Sequence, residues 1–237
     1  MNTSPDQQPK TVLIVGASRG LGAAMAGEFV KKGWHVVGTV REIGRTEFHD
    51  LADAHADRVT IEPLDITEPD EIAALRERLQ GCAFDMLFVN AGTANHNAAK
   101  TIAEVSTDEF VRVMLTNALG VMRAVEGFQD LVHPAGVIGV MSSGQGSIAN
   151  NTRGGFEVYP GSKAALNQYM RSYAARHADD PRAMVLMAPG WIRTALGGPN
   201  APFSVEETIP QVVDTLLAQR GTPGLRFIDR HGVTVSW

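Results

Sequence analysis

Seven short β-rich runs punctuate the chain: Val12–Val15, Val36–Val40, Arg58–Ile61, Phe84–Val89, Val137–Met141, Ala183–Met187 and Leu225–Ile228. As a set they lack the strict polar–apolar alternation of a strand wetted on one face, so they suit strands buried on both faces. The segments between them have the lengths of helical crossovers, which in parallel sheets are right-handed. The fold class predicted is therefore α/β: a single-domain, Rossmann-type doubly wound parallel β-sheet with helices on both faces. A first helix is expected to run to about Lys32. A long one is expected from Ser106, where Glu109 three residues on completes a capping-box pattern, to about Val132.

No repeat, low-complexity tract or Pro/Ser-rich linker divides the 237 residues, of which 44% are hydrophobic, enough for one sizeable core. Residues 1–10 read as a flexible tail and 11–237 as a single dinucleotide-binding catalytic domain. A net charge of -5 argues against nucleic-acid partners, which select a basic face. Cys82 is the only cysteine, so no intrachain disulfide or multi-cysteine metal site is expected. It is read as a small buried apolar residue. The seven histidines are scattered without metal-ligand spacing, and no metal is expected. The polar start, free of a signal-peptide pattern, and the lack of a membrane-length apolar run point to a cytoplasmic protein with no membrane partner.

Two local patterns carry chemistry. Gly16-Ala17-Ser18-Arg19-Gly20-Leu21-Gly22 follows the first strand and opens the first helix. There, glycines let backbone approach a pyrophosphate, and a helix N-terminus offers free N–H groups and a positive dipole end. Tyr159 and Lys163 stand four residues apart, side by side on a helix. A phenol is a poor acid near neutrality, and a neighbouring ammonium would stabilise its phenolate.

These motifs, taken in order, resemble the short-chain dehydrogenase/reductase family over nearly the whole chain. The turn at Gly16, Gly20 and Gly22 matches its cofactor motif, and Asn90-Ala91-Gly92 its N-A-G motif. Asn117, Ser143, Tyr159 and Lys163 match its catalytic tetrad, and Pro189-Gly190 and Thr194 its segment after the sixth strand. The stretch Thr194–Glu207 and the ending Phe227–Trp237 are similar to the C-factor-like and carbonyl-reductase-like branch. The resemblance implies cofactor contacts at Ser18, Arg19, Leu21, Arg41, Asp65, Ile66, Ile192 and the residues just named. It places Asn90 under the adenosine ribose, Asp65 at the adenine edge and Thr194 at the nicotinamide carboxamide or pyrophosphate. Asp65, with Thr67 as a rival, reads equally as a helix cap, and capping is also an alternative for Thr194.

Tyr159 is then the proton donor to the alkoxide formed by hydride transfer, with Lys163 lowering its pKa and binding the nicotinamide-ribose hydroxyls. Asn117, a poor residue for a helix interior, implies a local distortion that holds a water for proton relay from Lys163. Ser143 is the serine for the substrate oxygen, with Ser142 and then Ser147 as fallbacks. Sixteen positions separate Ser143 from Tyr159, longer than is usual in the family, with the excess near Asn151–Phe156.

Cofactor choice follows from charge. NAD enzymes carry a carboxylate at the end of the second strand, and here Val40 stands there, followed by Arg41. Arg41 and Arg19 could converge on a 2′-phosphate, so NADP(H) is expected. Thr93–Thr101, Gly144–Phe156 and Trp191–Phe203 should shape the pocket. Their Phe156, Trp191, Ile192, Leu196 and Phe203 suit a small, largely uncharged aldehyde or ketone, reduced reversibly to an alcohol. Gly197–Pro202 has the composition of a short hinged lid. An NADP-binding regulatory or signalling protein of the same fold is the alternative. A homodimer or homotetramer is implied by the resemblance, through the helices starting near Ser106 and Phe156.

Overall fold

The computed structural model describes residues 9–41 and 44–237. Most of the expected tail, residues 1–8, lies outside the described residues. The Lys10 carbonyl accepts from His35 N–H at 2.8 Å.

Seven strands form one sheet in the order β3-β2-β1-β4-β5-β6-β7, every pairing parallel. They are β1 (Thr11–Val15), β2 (His35–Val40), β3 (Val59–Pro63), β4 (Phe84–Val89), β5 (Val132–Met141), β6 (Ala183–Ala188) and β7 (Gly224–Asp229). Helices α1 (Gly20–Lys31), α2 (Glu47–Ala54) and α7 (Val205–Ala218) cover one face. On the other lie α3 (Pro69–Arg78), α4 (Thr107–Met114), α5 (Val121–Phe128) and α6 (Val158–Arg176).

The pleat explains this double coverage, because successive side chains of a strand point to opposite faces. Val12 and Ile14 of β1 pack in one core cluster with Met25, Phe29 and Leu216. Leu13 and Val15 pack in the other with Val121, Phe128 and Leu166. Each such side chain, fully withdrawn from water, stabilises the fold by roughly 1.5–3 kcal/mol. Residues of both periodicity classes must therefore be apolar, which is why the strands read as runs. The strand order reverses between β1 and β4, and the loops leaving their carboxyl ends flank a crevice where α/β proteins bind ligands.

Three expectations need correction. β5 begins at Val132, five residues before the expected start, because His133, Pro134 and Ala135 are exposed and carry no apolar signal. The long helix after Ser106 is interrupted: between α4 and α5 the residues Leu115–Gly120 form a π-helical turn, and after Phe128 the chain tightens to a 3₁₀ turn. Ser106 does cap α4, its hydroxyl accepting from Glu109 N–H at 3.3 Å. The Glu109 carboxylate leaves the capping box to accept from His96 N–H at 2.5 Å. Cys82 is exposed, not buried, because Gly81 at φ +82° turns the chain outward after α3. Among the described residues no helix is long and apolar enough to cross a membrane.

Candidate active site

The glycine turn is shaped by close approach. Gly16 sits at φ +90°, and a Cβ there would stand 2.7 Å from Ala91 N. A Cβ on Gly22 would stand 2.1 Å from the Gly16 carbonyl. Asn90 Nδ2 donates to that carbonyl at 2.8 Å, so the N-A-G segment and the glycine turn hold each other. Gly16 N–H donates to Thr39 Oγ1 at 2.9 Å, fixing the turn from β2 as well.

Arg19 occupies the N-cap position of α1 in extended conformation, and no side chain caps this helix, unlike α4 and α7, where Ser106 and Ser204 do so. The leading amide, Gly20 N–H, donates to Glu47 Oε2 at 3.2 Å. An anionic oxygen on an otherwise uncapped helix start, beside glycines that a side chain would crowd, fits the pyrophosphate of a dinucleotide. Leu21 is half-buried and Ser18 too; Arg19 and Arg41 are exposed, and Val40 is buried at the end of β2 where an acid would stand for NAD.

Asp65 caps nothing. Its Oδ1 accepts from Thr67 N–H and Oγ1–H at 2.9 and 2.8 Å, while Glu68 is the N-cap of α3 with Pro69 next. The proline supplies the helix start, so neither Asp65 nor Thr67 is needed there. Ile66 is buried, its carbonyl 2.8 Å from where a Cβ on Gly120 would be.

The tetrad residues converge. Lys163 is 2% exposed; its Nζ lies 5.9 Å from the Tyr159 ring centroid and donates to the Met141 carbonyl at 2.8 Å. Gly92 borders this junction: a Cβ on it would sit in ordinary van der Waals contact, 3.4 Å from Asn117 Oδ1 and 3.6 Å from Lys163 Nζ. Asn117 lies in the π turn, fully buried. Its Oδ1 accepts from Thr93 N–H at 2.8 Å, and its Nδ2 donates to the Thr93 carbonyl at 2.7 Å and to Ser162 Oγ at 2.9 Å. Ser162 Oγ–H in turn donates to the Tyr159 carbonyl at 2.7 Å, linking the π turn to α6. The distortion expected at Asn117 is thus present as a π turn, a feature frequent at functional sites.

Burial pushes the Tyr159 phenol up from its usual range, with a hydrogen bond to the Ser143 hydroxyl acting against it. Burial also lowers Lys163 to about 8. The expected depression of the phenol by Lys163 is not what this arrangement produces, because withdrawal from water outweighs a cation already engaged by the Met141 carbonyl.

Ser143 is the serine at Tyr159. Its Oγ also accepts from Gln145 N–H at 3.1 Å. Ser142 is 2% exposed and donates to Asn167 Oδ1 at 2.6 Å, while Ser147 accepts from Asn150 N–H at 3.2 Å. Both fallback serines are thus spent on holding the loop. Thr194 likewise caps no helix; its Oγ1 accepts from Gly197 N–H at 3.0 Å, and its methyl faces Gly20, with 3.9 Å to a Cβ placed there.

The extra residues before Tyr159 lie in the left-handed region: Gly154 at φ +66°, Gly155 at +73° and Phe156 at +50°. For phenylalanine this conformation costs about 1–2 kcal/mol. This segment and α6 enclose a depression of about 290 Å³, lined by Ile148, Asn151, Phe156, Glu157 and Pro160. A depression of about 370 Å³ lies between α3 and α5, away from the tetrad. Ile192 is buried, and Trp191 and Leu196 are exposed. The expected lid, Gly197–Pro202, is pinned: Arg193 Nη1 donates to the Ala201 and Pro202 carbonyls at 3.0 and 2.9 Å.

Sequence reasoning missed Thr93, Ser162, Asn167 and Arg112, whose guanidinium donates to Thr93 Oγ1 and the Ala94 carbonyl at 2.8 and 2.9 Å. Adjacency to the N-A-G motif and to Lys163 was the only available signal for Thr93 and Ser162.

A doubly wound sheet with a glycine cradle at its switch point and a Ser-Tyr-Lys-Asn cluster beside it defines a dinucleotide-dependent oxidoreductase architecture. The model of the short chain dehydrogenase family matches residues 10–203, and the chain belongs to that family. A Burkholderia multivorans protein assigned to the short-chain dehydrogenases/reductases, solved with bound NADP, is 61% identical with a TM-score of 0.96, covering 97% of this chain and 100% of that one. A carbonyl reductase from Pseudomonas aeruginosa PAO1 in complex with NADP is 32% identical with a TM-score of 0.89, over 97% and 100% of the two chains. Among curated relatives, the 1-hydroxy-2-glutathionyl-2-methyl-3-butene dehydrogenase of Rhodococcus sp. (strain AD45) is 29% identical over 96% of this chain and 99% of its own.

Proposed function

We propose that the protein is an NADP(H)-dependent oxidoreductase that reduces the carbonyl of a small, largely uncharged aldehyde or ketone to an alcohol, reversibly, with Tyr159 as proton donor. The convergence of Ser143, Tyr159, Lys163 and Asn117 around Gly92 carries this reading. The glycine turn, Arg19, Arg41 and the N-A-G segment would hold the cofactor, and NADPH when bound supplies the hydride. Names borne by relatives, one a carbonyl reductase and one a dehydrogenase, describe the same step in opposite senses.

In the forward sense Ser143 Oγ–H donates to the substrate oxygen, and the Tyr159 phenol releases its proton to that oxygen as negative charge develops there. The phenolate left behind recovers its proton from the Lys163 ammonium. Lys163, with a pKa near 8, can pass a proton on near neutrality. Asn117, held by Thr93 and Ser162, keeps the π turn open for a water that relays protons from solvent. Exposed Val111, Leu119 and Tyr169 on the helices after Ser106 and Phe156 support a homodimer or homotetramer built on those faces.

A panel of uncharged aldehydes and ketones, followed by loss of NADPH absorbance, tests the reading. Tyr159→Phe should abolish turnover while NADPH binding persists, and NADPH should outpace NADH at equal concentration. Turnover that survives Tyr159→Phe would remove the assigned proton donor.

A further inference from the structure

We infer that Arg230, forty residues downstream of Gly190 in sequence, is a positioning residue that clamps the Pro189–Thr194 segment against the nicotinamide end of the cofactor. The inference rests on the NADP(H) reading above. The turn after β7 presents this side chain, with Asp229 Oδ1 accepting from both His231 N–H and Val233 N–H at 2.9 Å. Thr215 Oγ1–H donates to the Arg230 carbonyl at 2.6 Å, and Arg230 Nε donates to Gln211 Oε1 at 3.0 Å, so α7 holds both its backbone and its guanidinium.

From that base the guanidinium reaches two parts of the segment at once. Nη1 donates to the Pro189 carbonyl at 3.1 Å, and the guanidinium carbon lies 3.9 Å above the centroid of the Phe203 ring. Phe203 is where the excursion that starts at Trp191 returns: its N–H donates to the Trp191 carbonyl at 3.4 Å, its carbonyl accepts from Arg193 N–H at 2.9 Å, and it bridges Ile192. One planar cation therefore ties the departure and the return of the loop that carries Thr194. Lysine could make the hydrogen bond but not the stacked face.

Gly190 shows that the local backbone is built around this contact. It sits at φ +100°, and a Cβ there would stand 2.5 Å from Arg230 Nη1 and 3.5 Å from the Phe203 ring. Thr194, at the far end of the clamped segment, faces Gly20 across the mouth of the crevice. Loosening the clamp should therefore disturb the half of the cofactor under Pro189–Thr194 and spare the half held by Arg19 and Arg41.

Adenosine 2′,5′-bisphosphate carries the adenine half alone and separates the two. In Arg230→Met, fluorescence titration should show NADPH binding weakened by about tenfold, the loss expected for a charge-assisted contact. Affinity for the bisphosphate should stay at the wild-type value, and Arg230→Lys should recover part of the NADPH loss. Equal weakening of both ligands, or of neither, overturns the clamp alone. Wild-type protein that binds neither ligand overturns the NADP(H) reading and the clamp with it. If Arg230→Met does not fold, Phe203→Leu removes the ring beneath the guanidinium, keeps Arg230, and must show the same split.

Discussion

Lys163 shows how strongly one residue's environment governs its chemistry. Burial takes its pKa from 10.5 to about 8. Below pH 8 both folded and unfolded chains carry the proton, and the folded state bears the full cost of the buried charge. Between pH 8 and 10.5 the unfolded chain binds more protons, so this group makes stability rise with pH, by about 3 kcal/mol over the window. In Lys163→Met that contribution is absent. The stability advantage of the variant over wild type, from denaturant melts without cofactor, should shrink by about that amount from pH 7 to 10.5. A difference that stays level would mean that Lys163 is not buried as a charge. The serine question belongs to the same scale. Ser142 and Ser143 are adjacent after β5, and only the strand's pleat, which sends Ser142 inward to Asn167, decides between them.

The π turn is the element on which the site depends, since it takes Asn117 out of the regular helical ladder and aims it at Thr93 and Ser162. Gly120 permits this turn to approach the loop between β3 and α3, because a Cβ there would meet the Ile66 carbonyl at 2.8 Å and that of Leu115 at 3.1 Å. Gly120→Ala should destabilise the fold by about 1–3 kcal/mol through overpacking and lower kcat more than it raises KM. Chemical melts and steady-state kinetics check both. Unchanged kcat would separate the turn from catalysis. Much at this scale was legible in the chain. The strands announced themselves as unbroken apolar runs, and an asparagine inside a helix signalled distortion. The exposed start of β5 gave no signal, because His133, Pro134 and Ala135 are wet. Arg230 gave none either, since its partners Pro189 and Phe203 are brought to it only by the pairing of β6 with β7.

Across the whole molecule, the far edge of the sheet is tied back to the serine loop. The Trp237 ring packs 5.5 Å from that of Phe227 on β7 and lies beneath Arg171 of α6 at 4.5 Å, while its carbonyl accepts from Ala149 N–H at 2.9 Å. Trp237→Ala should cost about 2 kcal/mol in packing and stacking and raise KM for the carbonyl substrate, with NADPH affinity unchanged. An unchanged KM would mean that the loop does not need this tie. The strand order has a consequence for synthesis. Because β1 pairs with β2 on one side and with β4 on the other, a nascent chain that has emerged only through Pro63 holds a three-stranded ribbon whose most apolar member has an open flank. That flank stays open until Phe84–Val89 arrives to close it, and an unpaired apolar edge of this kind is what a chaperone would cover.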